Sequence, residues 1–111
     1  MSDARLCRGY LYYVRLDKLR PALIISADVR NTLASDVIII PCTTRLSIGP
    51  THVRLRKGEG GLREATILKC EQITTLPKSL LSQSALGGQL SAALLEEVER
   101  GVLRAIGVAI D

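Results

Sequence analysis

The residues best suited to chemistry in this chain are Arg20 and Thr43. Arg20 precedes Pro21 at the head of the apolar run Ala22-Leu23-Ile24-Ile25, and the proline restricts the backbone that carries the arginine. A guanidinium held in this way presents paired donors to a phosphate. Thr43 lies in Pro41-Cys42-Thr43-Thr44-Arg45, directly after the most apolar stretch, Val37-Ile38-Ile39-Ile40. A hydroxyl next to a basic residue, where a buried strand reaches solvent, suits phosphoryl chemistry. Strand-end threonines and edge arginines are also common with no such role, and residue type alone leaves both readings open.

Other catalytic sets are missing. The single histidine, His52, sits between Thr51 and Val53 in an alternating segment, and no G-x-S-x-G elbow precedes any serine. No H-x-x-x-H or C-x-x-C spacing signals a metal, so neither metal nor cofactor is expected. Gly58, Gly60 and Gly61 lack the Lys-Ser/Thr that completes a phosphate loop and read as a flexible hairpin loop, able to gate a groove. The three cysteines, Cys7, Cys42 and Cys70, are an odd count, which fits reduced thiols in a cytoplasmic protein. The N-terminus has no apolar leader core, and no run is long enough to span a membrane.

The elements that must position Arg20 and Thr43 fit one domain over residues 1–111. Residues 9–16 read as a first strand and 20–26 as a second, with Pro21 at a strand start or edge. Residues 28–33 suit one helical turn. Residues 36–40 form the most buried strand, 50–56 a half-exposed one, and 65–74 another, with a short helix opened by Pro77. Ser91 caps a C-terminal helix whose apolar face runs Leu94, Leu95, Val98, Val102, Ala105, Ile106, Ala109, with Leu90 stapled on Leu95. The fold class is mainly β with one terminal helix, a compact barrel or strongly bent sheet. With no Phe or Trp the core is aliphatic. A net charge of +4, with 11 arginines among its sources, leaves a polyanionic partner and a merely solubilising surface both open.

Taken in order, several short segments point to one family. They are Arg8-Gly9-x-Leu11-Tyr12-x-Val14-x-Leu16-Asp17, Arg20-Pro21-Ala22-Leu23-Ile24-Ile25-Ser26, Pro41-Cys42-Thr43-Thr44, Pro50-Thr51-His52-Val53, Gly60-Gly61-Leu62 and Glu71-Gln72-Ile73-x-Thr75-Leu76. Over essentially its whole length the chain resembles the MazF/PemK family of toxin endoribonucleases. The resemblance implies an SH3-like bent β-barrel and a homodimer. It further implies cleavage of single-stranded RNA without metal, and neutralisation by a MazE-like antitoxin, with operator DNA met only through that antitoxin. Its catalytic arginine falls on Arg20 and its catalytic threonine on Thr43. Thr44, Arg45, Gln72 and Tyr12 are then candidates for RNA contact, Tyr12 by stacking. The chain departs from many relatives between the first two strands, where only Asp17-Lys18-Leu19 replaces a long loop that in some carries an assisting acid. Asp17 is at most a weak substitute. The alternatives are a CcdB-like toxin that binds DNA gyrase without catalysis, and an inert RNA- or protein-binding barrel. Against the first, the chain ends Ala109-Ile110-Asp111, where that family ends Trp-Gly-Ile.

Overall fold

The computed structural model describes residues 6–110, so Arg5 and most of the N-terminal stretch lie outside the described residues. Its strands are β1 (Leu11–Arg15), β2 (Leu19–Ile24), β3 (Asp36–Thr43), β4 (His52–Leu55), β5 (Thr66–Lys69) and β6 (Thr74–Pro77). The helices are α1 (Asp28–Leu33) and α2 (Ala92–Ala105), with 3-10 turns at Glu59–Gly61, Cys70–Gln72 and Lys78–Leu80. All pairings are antiparallel, in the order β1-β2-β3-β5-β4, with β6 also on β3.

β3 organises the sheet because it is long enough to serve three partners. Its first half pairs with β6 (Val37↔Leu76), its middle with β2 (Leu23↔Ile40), and its end with β5 (Thr43↔Ile67). Its inward-facing residues alternate between two cores. Leu11, Leu23, Ile40, Leu55 and Leu68 pack under α2 on one face; Val14, Ala22, Ile24, Val37 and Ile39 pack on the other beneath Leu76 and Leu81. A strand buried on both sides reads as a continuous apolar run, which is why Val37–Ile40 carries no polar residue.

Two sequence expectations need correction, and the choice between barrel and bent sheet resolves to the second. The sheet is bent but not closed: β1 and β4 are its edges and do not pair. Residues 81–90 instead run along β1, where Ser82 N–H donates to Tyr13 O (2.8 Å) and Leu86 N–H to Leu11 O (2.8 Å), so the exposed edge is covered by irregular chain rather than by closure. The expected strand 65–74 is two strands. The 3-10 turn Cys70–Gln72, held by Cys70 N–H to Thr51 O (3.1 Å), carries the chain from the end of β3 to its beginning. The terminal helix stops at Ala105, short of Ala109. Gly107 takes φ +85°, a left-handed conformation that favours glycine; its N–H donates to Arg104 O and the Val108 N–H to Leu103 O, which closes the last turn.

The start of α2 is as expected. Ser91 Oγ accepts the Leu94 N–H (3.1 Å), and Leu90 and Leu95 are buried together. Ser91→Ala removes that acceptor and should cost about 1 kcal/mol of stability, measurable as a lower urea midpoint at unchanged m-value. No helix among the described residues is long and apolar enough to cross a membrane.

Candidate active site

Arg20 and Thr43 meet where the β2–β3 ladder ends. The last rung is Ala22↔Pro41, and the same register extended by two residues sets Arg20 opposite Thr43 on one face. Pro41 is half of this rung and Pro21 directly precedes the other half, and neither has an N–H for a further one. Pairing therefore stops, and the two candidate side chains line open space instead of a closed sheet. Pro21 is thus the third residue of β2, inside the strand, and is tolerated because the ladder to β3 begins only after it.

Each side chain is held from its own element. The hairpin between β1 and β2 is only three residues long, so Asp17 hangs directly beside Arg20. Its carboxylate accepts from Arg20 Nε (3.2 Å) and Nη2 (3.3 Å), and from the Lys18 N–H (2.9 Å). The Arg20 guanidinium is the main cause that holds the Asp17 carboxyl below its ordinary value, and the pair raises the arginine in turn. Both groups stay charged across the physiological range. Thr43 Oγ1 accepts the Arg45 N–H (3.2 Å), a local turn that uses the oxygen as acceptor and leaves its hydrogen to donate outward.

Two cavities open at this end of the sheet, and both are lined by Arg20, Cys42, Thr43 and Thr44. The larger, about 490 Å³, shares Lys18 with the smaller and adds Asp17, Arg45, Lys69 and Gln72, which gives it four cations, Arg20 included, against one carboxylate. Thr44, Arg45 and Gln72 are therefore brought to the site as the sequence suggested. Lys18 and Lys69 were missed: Lys69 ends β5, which only the β3–β5 pairing brings alongside Thr43, and Lys18 was visible as part of the short hairpin. The smaller cavity, about 250 Å³, lies toward Tyr13, Leu62, Glu64 and Leu86.

Tyr12 does not belong to the site. It is 4% exposed and packs in the second core with Val14, Ala22 and Ile24. A ring so enclosed offers no face to a base, and burial raises its hydroxyl pKa. Tyr13, one residue on and pointing to the other face, lines the smaller cavity instead. The glycine loop is not the flexible gate expected of it. It is closed by Gly58 N–H to Leu62 O (2.8 Å) and packed against Leu11 and Leu86.

Neighbouring groups have structural work. His52 Nδ1 accepts the Gly49 N–H (2.9 Å), so its proton is on Nε2, facing Glu71 Oε2 at 3.3 Å. This imidazole pins the turn before β4. Cys42 lies between Pro41 and Thr43 but its thiol is turned into the first core, where burial pushes its pKa up to about 12. It supplies no thiolate near neutral pH.

Comparison with known proteins bears directly on this arrangement. The family described as PemK-like, MazF-like toxin of type II toxin-antitoxin system matches residues 8–106. The chain belongs to this family. As a PemK/MazF-like toxin it shares 30% identity over 92 residues, 81% of its own length and 75% of the relative's, with a protein named endoribonuclease MazF from Staphylococcus saprophyticus. Among solved structures it is similar to a mycobacterial endoribonuclease in complex with its cognate antitoxin, at TM-score 0.82 and 26% identity, with 95% of this chain and 98% of that one covered. It is also similar in fold to a MazE–MazF structure from Deinococcus radiodurans, at TM-score 0.77 and 21% identity, covering 93% and 96% of the two chains.

Proposed function

We propose that this protein is an endoribonuclease toxin that cuts single-stranded RNA, and thereby mRNA, at short sequences without metal. The observation that carries this reading is that Arg20 and Thr43 line one cavity at the open end of β2 and β3, with a surplus of cations around it. The ribose 2′-hydroxyl gives its proton to water as its oxygen attacks the adjacent phosphorus, and the 5′-oxygen leaves and takes a proton from water, giving a 2′,3′-cyclic phosphate and a 5′-hydroxyl. Negative charge grows on the phosphorane oxygens, and Arg20 supplies positive charge where it develops. Asp17 holds the guanidinium in place through two hydrogen bonds. The Thr43 hydroxyl, its oxygen occupied by the Arg45 N–H, donates to a non-bridging phosphate oxygen and fixes the reacting geometry. Among the described residues Lys18, Arg45 and Lys69 form no ion pair, which leaves them to neighbouring phosphates.

Family membership supports the rest of the reading. The protein works in the cytoplasm as a homodimer, and a MazE-like antitoxin neutralises it, as the mycobacterial relative is seen with its own antitoxin. The test is incubation of the purified protein with a long single-stranded RNA in EDTA. Limited cuts with 5′-hydroxyl ends are expected, slowed at least tenfold in Thr43→Ala and less in Thr43→Ser, which keeps the hydroxyl. An intact RNA after incubation with folded wild type, or cuts that Thr43→Ala leaves unchanged, would rule the mechanism out.

A further inference from the structure

The two cavities beside Arg20 and Thr43 differ in a way that bears on what each one takes. The larger is cationic and open, which suits a sugar–phosphate backbone. The smaller shares Lys18 and Arg20 with it and also carries Arg63, but it has apolar walls from Pro21, Leu62 and Leu86, an aromatic ring from Tyr13, and a carboxylate from Glu64. We propose that this smaller cavity is a nucleobase subsite for a nucleotide next to the cleaved phosphate. Within it, Glu64 selects a base with an exocyclic amino group over uracil. The proposal rests on the RNA-cutting function above and adds the feature that sets sequence preference.

Shape and chemistry both support it. Single-stranded RNA is read by bases splayed into pockets, stacked on side-chain planes and hydrogen-bonded along their edges. A cavity of about 250 Å³ with leucine and proline walls receives one flat ring, and Tyr13 offers a stacking plane. The walls are rigid: Gly61 lies so close to the Leu86 carbonyl that no Cβ fits between them, which sets the distance between the segments bearing Leu62 and Leu86.

Glu64 gives the chemical reason. Its side chain makes no hydrogen bond or ion pair among the described residues; the neighbouring Arg63 also lines the cavity but does not pair with it. A free carboxylate beside a phosphate site repels the substrate unless N–H donors meet it. An ionised carboxylate only accepts. Cytosine presents its N4 amino group to such an acceptor, whereas uracil presents O4, acceptor against acceptor. Discrimination therefore comes as much from rejecting uracil as from binding the amino group.

The test uses 2′-O-methyl oligo(C) and oligo(U) labelled with fluorescein. These strands lack the attacking hydroxyl, so binding is read by anisotropy without cleavage. The wild-type protein should bind oligo(C) about 10-fold more tightly than oligo(U). In Glu64→Gln, whose amide also donates, the two should agree to within about twofold, with an unchanged salt dependence because the phosphate contacts remain. Equal binding by the wild type, or a preference that survives Glu64→Gln, overturns the proposal. Cleavage of long RNA is scored separately. A protein that cuts without discriminating refutes the subsite alone, and one that discriminates without cutting refutes the nuclease alone.

Discussion

Arg20→Ala should lower the rate of RNA cleavage by about 100- to 1,000-fold, the usual cost of removing one preorganised donor to a developing oxyanion. The effect is expected in the chemical step, because Arg20 is placed opposite Thr43 where charge grows, while Lys18, Arg45 and Lys69 still hold the backbone. Arg20→Lys should recover little. An ammonium keeps the charge but lacks the planar fork that donates twice to Asp17 and still presents a second pair of donors. Single-turnover cleavage of a labelled RNA gives the rate, and oligonucleotide anisotropy gives the affinity. Thermal unfolding is the control. The Asp17–Arg20 pair is solvent-exposed on the Asp17 side, so its loss should change stability little. A variant that cuts within threefold of wild type would remove Arg20 from the mechanism.

Gly61→Ala should be the most disruptive single methyl in the chain, costing about 3 kcal/mol. Gly61 has φ +89°, where an L side chain is strained, and its added Cβ would collide with the Leu86 backbone carbonyl. Neither partner can yield cheaply. The Gly58–Leu62 turn is fixed by its own hydrogen bonds, and Leu86 N–H is bonded to Leu11 O in β1 (2.8 Å). The change should appear as a fall in urea midpoint. It should also weaken RNA binding in the surviving folded fraction, because Leu62 and Leu86 flank the smaller cavity. Gly58→Ala is the comparison: it shares a positive φ of +97° but its Cβ meets nothing within 4 Å, so only the backbone strain remains, about 1 kcal/mol. Equal losses in the two variants would show that packing against Leu86 contributes nothing.

The places where sequence reasoning held are places where local physics is enough. Asp17-Lys18-Leu19 is too short for anything but a tight hairpin, and that hairpin puts Asp17 beside Arg20. Ser91 before Ala92-Ala93-Leu94-Leu95 caps a helix with no help from the rest of the fold. Val37–Ile40 is too apolar to be anywhere but buried. Arg20 and Thr43 were legible through the family's motifs, since strand-end position alone did not separate them from ordinary edge residues.

The errors share one cause, which is competition between a local pattern and a distant partner. Residues 65–74 are uniformly strand-like, but β3 offers two separate stretches of edge, so the chain turns at Cys70–Gln72 to use both. Tyr12 and Tyr13 have the same composition-level claim on RNA. Strand alternation sends one to each face, and only the covering segments show that Tyr12's face is sealed while Tyr13 reaches a cavity. The glycines of 58–61 signal freedom in sequence, yet here they permit close contact with Leu11 and Leu86.

Composition, motif order and capping thus set the chemistry available here: one arginine and one threonine at strand ends, an aliphatic core and a single terminal helix. Those properties depend on residues near one another in the chain. Three-dimensional packing supplied what depends on residues far apart. It set Arg20 across from Thr43 through the β2–β3 register and stopped the ladder between two prolines. It also carried Lys69 to one of the two cavities there and Glu64 to the other. Pairing register and loop contacts are settled by the sum of many long-range interactions, and no local stretch encodes them.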